Sequence, residues 1–288
     1  LNCLETATGQ VVWSADIAAD TGAKVPMWGF SSSPLVVGDL VVVYAGAADA
    51  GIIAYGRQSG ETAWTCPAGT HSYSSAHLAR LTDTNLILTM SNAGLAATDI
   101  TSGSLLWHYD WSTEDQARIV QPAILEDGDI LIGTGYGYGT HRVSPTKTAE
   151  GWKVETVWES RNLKPYFNDF VIHKGMVYGF DDKIMACVDP ATGDRVWKGG
   201  RYGYGQLVLL ADQDVLLVLS ETGDVALVEA KPDGYQELAK FHALDGKTWN
   251  HPVVAHGKLF VRNAEEAVCY ELPLIAQPEM EELAEPPE

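Results

Sequence analysis

Strand-length apolar runs alternate with turns rich in Gly, Asp, Asn and Pro along most of the chain, with no helical period between them. The clearest unit is Cys187-Val-Asp-Pro-Ala-Thr-Gly-Asp-Arg-Val-Trp197. It predicts a β-hairpin. Asp189 can accept hydrogen bonds from amides of its own turn, and Gly193 supplies the positive φ that such a loop needs. Val196 and Trp197 then begin the return strand. The same hairpin recurs at Thr8-Gly9 with Trp13, Ser59-Gly60 with Trp64 and Ser102-Gly103 with Trp107, each Trp four residues beyond its Gly.

Trp13, Trp64, Trp107, Trp158 and Trp197 are separated by 51, 43, 51 and 39 residues. A period of roughly 40–50 residues is that of four-stranded propeller blades. One such repeat cannot bury its apolar faces alone, and a Trp at one register per repeat suits the contact with a neighbour. The pattern predicts two strands over 1–17, a loop over 18–31, and full repeats over 33–66, 73–109, 119–158, 169–198 and 206–241. Three more strands fall over 252–272. In the third repeat a longer charged turn, 145–152, replaces the usual one. The fold class is therefore all-β. It is a β-propeller of four-stranded antiparallel blades over residues 1–272, five complete with partial blades at both ends. Residues 273–288, acidic and Pro-rich, carry no periodicity and read as a disordered tail or interaction extension.

Composition narrows the partners. With 38 acidic and 19 basic residues the net charge is −19. Nucleic-acid backbones and anionic membrane faces would repel such a chain, so the reading is no nucleic acid and no transmembrane segment. The chain opens at Leu1, within a repeat and without a signal peptide, and the expectation is that residues precede it. Cys3, Cys187 and Cys269 hold one repeat position and are expected to be small buried hydrophobes. Together with Cys66 they form no C-x-x-C pair, so neither a structural zinc nor a redox motif is read here.

The D-x-x-T-G-x-x-x-W hairpin, the preceding strand of small and apolar residues, and the opening strand Ser32-Ser33-Pro34-Leu35-Val36 resemble the PQQ-like β-propeller repeats. That family includes the quinoprotein alcohol dehydrogenases and the outer-membrane assembly lipoprotein BamB. The runs 28–34, 133–139 and 261–270 are similar to uncharacterised secreted bacterial members. The resemblance covers the chain to about Leu272 and implies a parent ring of seven or eight blades, with one or two absent at the N-terminus. It also implies a periplasmic or extracellular location.

The quinoprotein enzymes hold PQQ with a disulfide between adjacent cysteines, Glu and Asn ligands to calcium, and a catalytic Asp. Here no Cys-Cys pair occurs, and the candidate acids, Asp39, Glu126, Asp127, Asp129, Asp181, Asp182 and Asp194, are mostly accounted for as turn residues. No cofactor and no metal is assigned, PQQ and calcium being unsupported by the motifs present. No catalytic residue is assigned either. The eight histidines form no metal-ligand spacing, and the alternating glycines 133, 135, 137 and 139 suit a small-residue strand face or a flexible loop.

One constellation remains. Just before the first strand of each repeat stand Trp28, Phe30 and Ser32; Tyr73 and Ser75; Arg118 and Gln121; Tyr166, Phe167 and Asn168; Tyr202, Tyr204 and Gln206; and Trp249, Asn250 and His251. First strands line a propeller's channel, so these groups would converge at its mouth and suit a protein, carbohydrate or other small-molecule ligand. The functional expectation is a non-enzymatic binding or scaffolding propeller. The alternatives are a PQQ-dependent dehydrogenase whose ligands lie partly in N-terminal blades, and a BamB-like assembly factor. The terminal strands would either join into one blade or stay apart as an open arc with apolar faces uncovered near 11–13 and 260–268. The larger rings of the family favour the arc.

Overall fold

A computed structural model describes residues 1–113, 116 and 118–272. The tail 273–288 lies outside the described residues. Seven antiparallel sheets follow one another in chain order, and each is a simple meander. The first pairs β1 (Asn2–Leu4) with β2 (Val11–Ser14). The second holds β3 (Leu35–Val37), β4 (Leu40–Tyr44), β5 (Ile52–Gly56) and β6 (Thr62–Cys66), and the third β7 (His77–Leu81), β8 (Thr84–Ser91), β9 (Gly94–Asp99) and β10 (Leu105–Asp110). The fourth holds β11 (Ala123–Ile124), β12 (Ile130–Thr134), β13 (Gly139–Thr148) and β14 (Gly151–Ser160). The fifth holds β15 (Val171–His173), β16 (Met176–Asp181), β17 (Ile184–Val188) and β18 (Arg195–Arg201), and the sixth β19 (Gln206–Leu210), β20 (Val215–Leu219), β21 (Asp224–Glu229) and β22 (Glu237–His242). The last holds β23 (Val253–Ala255), β24 (Lys258–Arg262) and β25 (Ala267–Glu271). The all-β reading and the five four-stranded repeats match this order.

The repeated hairpin has a mechanical reason. Four of these Trp lie across the ladder from a small residue, in the pairs Cys3–Trp13, Ala54–Trp64, Ala97–Trp107 and Cys187–Trp197, while Trp158 lies across from Arg142, and the register slips beside each of the five. The bulge turns the indole toward the next sheet. There four of the five indoles donate Nε1–H to a turn carbonyl: Trp13 to Arg57 O at 2.9 Å, Trp64 to Ile100 O at 3.0 Å, Trp158 to Pro190 O and Trp197 to Lys231 O at 2.8 Å. In three of these turns the ring lies flat under the Gly. A Cβ added at Gly60, Gly103 or Gly193 would stand 2.7, 2.6 and 2.8 Å from the indole of the preceding sheet. So the Gly of the motif serves two needs, positive φ in its own hairpin and space for its neighbour's Trp. A matched pair of substitutions separates them. Gly9 and Gly103 share φ +72°, but Gly9 meets nothing within 4 Å. Gly9→Ala should cost about 1–2 kcal/mol from the left-handed backbone alone, and Gly103→Ala about 1–3 kcal/mol more from overpacking. Denaturant midpoints measure both; equal losses would mean that the indole contact adds nothing.

Buried clusters join each consecutive pair of sheets from the second to the last. Ile52, Ala54 and Cys66 meet Ile87 and Ala96; Trp107 and Leu88 meet Ile130 and Val143; Leu131 meets Val177 and Ala186; Phe180 and Trp197 meet Leu216 and Val228; Leu217 and Val225 meet Leu259 and Val261. Burial of this kind, at about 25 cal/mol per Å² of apolar surface, holds the stack together.

Four features differ from the sequence expectation. The segment 145–152 is not a long turn. β13 and β14 continue through it as two ten-residue strands closed by Thr148–Gly151, and Trp152 comes to lie 6.4 Å from Trp107. That hairpin replaces the usual turn carbonyl, and the Trp107 indole N–H is left buried without a partner. The first strand of the same repeat, expected over 119–125, shrinks to Ala123–Ile124. The strand reading over 1–17 stops at Ser14, and a short helix, α1 (Ile17–Thr21), capped by the Asp16 carboxylate and ended by left-handed Gly22, runs into the expected loop 18–31. Ile17 is buried against Val43 and Ile53. Finally, Cys269 is exposed, because it sits on the outward face of the last sheet, whereas Cys187 is buried between sheets.

The first and last sheets share no ladder. Their outward faces are open: Val11 and Val12 are 59% and 60% exposed, Val253 and Phe260 53% and 43%. The terminal strands thus do not join into one blade.

Candidate functional site

In an antiparallel meander the first–second and third–fourth turns lie at one end of the sheet and the second–third turns at the other. The Thr-Gly turns are third–fourth turns. The opposite end carries the second–third turns together with the segments that lead into each first strand, and the expected mouth residues fall there.

Many of them are struts between neighbouring sheets. The Tyr73 ring lies tilted against Trp28 with centroids 5.2 Å apart, and its backbone N–H, like that of Ser74, donates to Arg118 O. Arg118 is 1% exposed; its Nε donates to Thr113 Oγ1, its Nη2 to Trp111 O, and its guanidinium lies 4.1 Å over the Trp111 ring. Burial pushes its pKa down to about 10. The Ser33 N–H donates to Ser75 Oγ at 2.7 Å, while the Gln121 side-chain amide pairs with both backbone groups of Ser75 at 2.9 and 3.0 Å. The Gln121 N–H donates to Asp169 Oδ1 at 2.7 Å, yet burial still pushes the Asp169 carboxyl up. Asn168 is fully buried, accepting from Tyr166 N and donating to Gly205 O. Gln206 donates to Phe167 O and to Trp249 O, spanning three sheets.

A second group is displayed rather than consumed. Tyr136, Tyr166, Tyr204, Phe167 and Trp249 form a row of touching rings, with centroid separations of 4.3, 4.6, 5.6 and 4.9 Å in that order. Gly135 makes room for it, since a Cβ there would stand 2.3 Å from the Tyr166 ring. Burial, then the neighbouring Tyr136 and Tyr204 hydroxyls, push the Tyr166 phenol up to about 12. Glu221 anchors the far end, accepting from Trp249 Nε1 at 2.9 Å and from Tyr204 N at 3.3 Å. Lys183 lies 4.8 Å over Tyr204 and Lys247 4.6 Å over Trp249. Trp249 is 44% and Tyr136 36% exposed.

The remaining expected residues lie elsewhere. Phe30 and Ser32 line an open cleft of about 550 Å³ beside Leu1 and Asp16. Tyr202 is buried; its hydroxyl donates to Glu237 Oε2 at 2.5 Å. Asn250 accepts from the Arg262 guanidinium of its own sheet at 3.1 and 3.3 Å. His251 borders a shallow depression with Val253 and Phe260 on the outward face. Tyr136, Lys183, Glu221 and Lys247 complete the row and were not foreseen. Tyr136 does carry one signal, an aromatic inside a Gly-x-Gly-x-Gly run, where it adopts φ +56°.

The residues present do not supply the cofactor set of the quinoprotein enzymes. No two cysteines are adjacent, and among the described residues no three His, Cys, Asp or Glu side chains are grouped to hold a metal ion. Also among the described residues, no helix is long and apolar enough to cross a membrane.

The family model described as outer membrane protein assembly factor BamB matches residues 1–199. The crystal structure of BamB from Moraxella catarrhalis is similar to the chain at 16% identity and a TM-score of 0.50, over 91% of this chain and 88% of that one. Sqt1 from Saccharomyces cerevisiae is similar at 15% identity and 0.58, over 83% and 70%. The quinohemoprotein alcohol dehydrogenase ADHIIG from Pseudomonas putida HK5 is similar at 15% and 0.57, over 90% of this chain but 58% of that one. No curated protein matches. At these identities the structural likenesses speak to fold, and it is the family model, over more than half of the sequence, that assigns membership: the chain belongs to the PQQ-like β-propeller family of the outer membrane protein assembly factor BamB.

Proposed function

We propose that this chain is a non-enzymatic binding and scaffolding propeller, working in the periplasm or outside the cell, that holds a polypeptide partner across its mouth end. The aromatic row from Tyr136 to Trp249 carries this reading. Aromatic side chains present large contact area with few rotamers to freeze, which is why they dominate protein interfaces. The two lysines beside the row offer amines to an acidic or carbonyl-rich partner segment, in a molecule that is otherwise strongly acidic. Membership of the BamB family supports the protein-binding version of the reading over a dehydrogenase, and the donor set described above supports no PQQ or calcium requirement.

The test is a pull-down of outer-membrane assembly components with the chain and with a Tyr136→Ala/Trp249→Ala variant. Binding should fall at least about tenfold in the variant, since hot-spot aromatics are each worth about 2 kcal/mol or more, while its melting temperature stays near that of the parent. Retention of binding in the variant would remove the aromatic row from the interface. Addition of PQQ and calcium that raises the melting temperature and yields dye-linked alcohol oxidation would replace the reading with the dehydrogenase one.

A further inference from the structure

One rung recurs at the mouth end of successive sheets. Ser33, Ser75, Gln121 and Asp169 each stand two residues before a first strand, namely β3, β7, β11 and β15. At this position the backbone N–H of one repeat donates to a side-chain oxygen of the next. Ser33 N–H reaches Ser75 Oγ at 2.7 Å, Ser75 N–H the Gln121 amide oxygen at 2.9 Å, and Gln121 N–H Asp169 Oδ1 at 2.7 Å. The rung asks for one neutral acceptor, and Ser75 and Gln121 supply no more than that. Asp169 brings a second oxygen and a charge that the rung does not use. Asp169 is part-buried, and among the described residues its Oδ2 has no hydrogen-bond partner and no Lys or Arg pairs with it. That oxygen is not one of the enclosed unpartnered atoms, so solvent reaches it.

The carboxylate faces the axis around which the sheets are arranged. Asp169 belongs to the fifth sheet, yet the imidazoles that act on its charge are His251 of the seventh and His77 of the third. Sheets that are not neighbours approach one another only where first strands gather about a propeller's channel. Burial outweighs the Gln121 N–H and both histidines and pushes the Asp169 carboxyl up; it also pushes His77 down, toward the neutral imidazole. A cation beside Oδ2 would offset that burial.

From this surplus oxygen we propose that the channel mouth is a site for an organic cation, an alkylammonium group that donates a hydrogen bond to Asp169 Oδ2. A guanidinium is recognised best by two carboxylate oxygens at once, and here Oδ1 is already held by the rung, which leaves a single oxygen suited to a compact point charge. Neutral imidazole nitrogens accept from the remaining ammonium N–H groups, and His77 and His251 are the side chains placed to offer them. A metal ion is disfavoured by the absence, among the described residues, of three grouped His, Cys, Asp or Glu side chains. A chain of net charge −19 draws cations toward it.

This inference goes beyond the reading of the aromatic row and does not rest on it, since ammonium binding is measured with no partner present. The whole 288-residue chain is titrated by calorimetry at neutral pH with n-butylamine, putrescine and a capped Ala-Ala-Lys-Ala-Ala peptide. The contrasts are n-butanol, the same peptide with Arg in place of Lys, and calcium. At least one ammonium compound should bind saturably, and Asp169→Asn should weaken it at least about tenfold, the loss of a charge-assisted hydrogen bond. Asparagine keeps the acceptor that the rung needs, as Gln121 does one sheet earlier, so the variant should melt no lower than the parent. The amine-against-alcohol contrast is read on the parent alone and decides even if the variant melts lower. Tighter binding of the lysine peptide than of the free amines identifies a polypeptide side chain as the occupant, and the reverse identifies a small amine; either supports the site. No saturable binding of any ammonium compound, an affinity unchanged by Asp169→Asn, or butanol, the arginine peptide or calcium binding as tightly overturns the inference.

Discussion

Replacing Asp181 with Asn is expected to destabilise the protein by about 3–5 kcal/mol, the cost of removing one partner from a buried ion cluster. Asp181 ends β16 at 2% exposure, and Lys164, Lys198 and Arg195 all direct their charges at its carboxylate. Asparagine preserves size but leaves those cations facing one another, with Asp182 3.4 Å from Lys164. Burial alone would push the Asp181 carboxyl up; the hydrogen bonds from Lys164 and Lys198 overcome this and hold it below the ordinary aspartate value of 3.8. The unfolded chain therefore takes up this proton at higher pH than the folded one. The stabilisation is present above about pH 4 and is lost as pH falls through the lower folded value. Urea midpoints at pH 7 and at pH 3 measure both parts: the gap between parent and Asp181→Asn should be wide at pH 7 and narrow in acid. An unchanged midpoint at pH 7 would show the cluster to be dispensable.

Trp197→Ala should cost a comparable amount, about 3–5 kcal/mol, as other core Trp truncations do. The side chain is 8% exposed, packs 5.9 Å from both Tyr178 and Tyr235, and its N–H reaches Lys231 O across the sheet boundary. Phenylalanine separates packing from hydrogen bonding. Trp197→Phe forfeits the bond and strands the Lys231 carbonyl, whereas Trp107→Phe removes an indole N–H that is already unpaired. The first should therefore be worse than the second by about 1–2 kcal/mol, and chemical denaturation of the two single variants checks the order. If Trp107→Phe proved the more damaging, the indole-to-carbonyl bond would not be what distinguishes the regular repeats.

The repeat was legible because its information is local. A Thr-Gly turn, a small residue opposite the Trp and a fixed offset are all written within a dozen positions, and the structure uses each of them. What the sequence hid depends on neighbours far away in the chain. The β13–β14 extension runs through Pro145, Thr146, Lys147 and Thr148, which lack the apolar alternation that signals a strand. It is held by pairing and by Trp152 covering Trp107 instead. α1 is five residues long, too short for a helical period to register. Cys269 and Cys187 share a repeat position but not a fate, since burial is decided by whether another sheet lies against that face. The same holds at the mouth. Trp28 does meet Tyr73, Ser75 meets Gln121, and Tyr166 meets Tyr204, all residues standing just before a first strand. That position could not tell that Arg118, Asn168 and Gln206 would be enclosed as struts, nor that Tyr136 and Glu221, from second–third turns, would complete the aromatic row.

The placement of the Thr-Gly turns at one end and of the aromatic row and open cleft at the other has an evolutionary and practical consequence. The indole seam that fastens sheet to sheet is built from residues no ligand at the opposite end would touch. Exposed positions of that opposite end, Trp28, Tyr136 and Trp249 among them, can change without disturbing a single turn carbonyl that receives an indole. Such a molecule is free to diversify the surface that end presents while its fastening stays constant. Loops exchanged at that end between related chains should transplant binding preference without rebuilding the scaffold beneath.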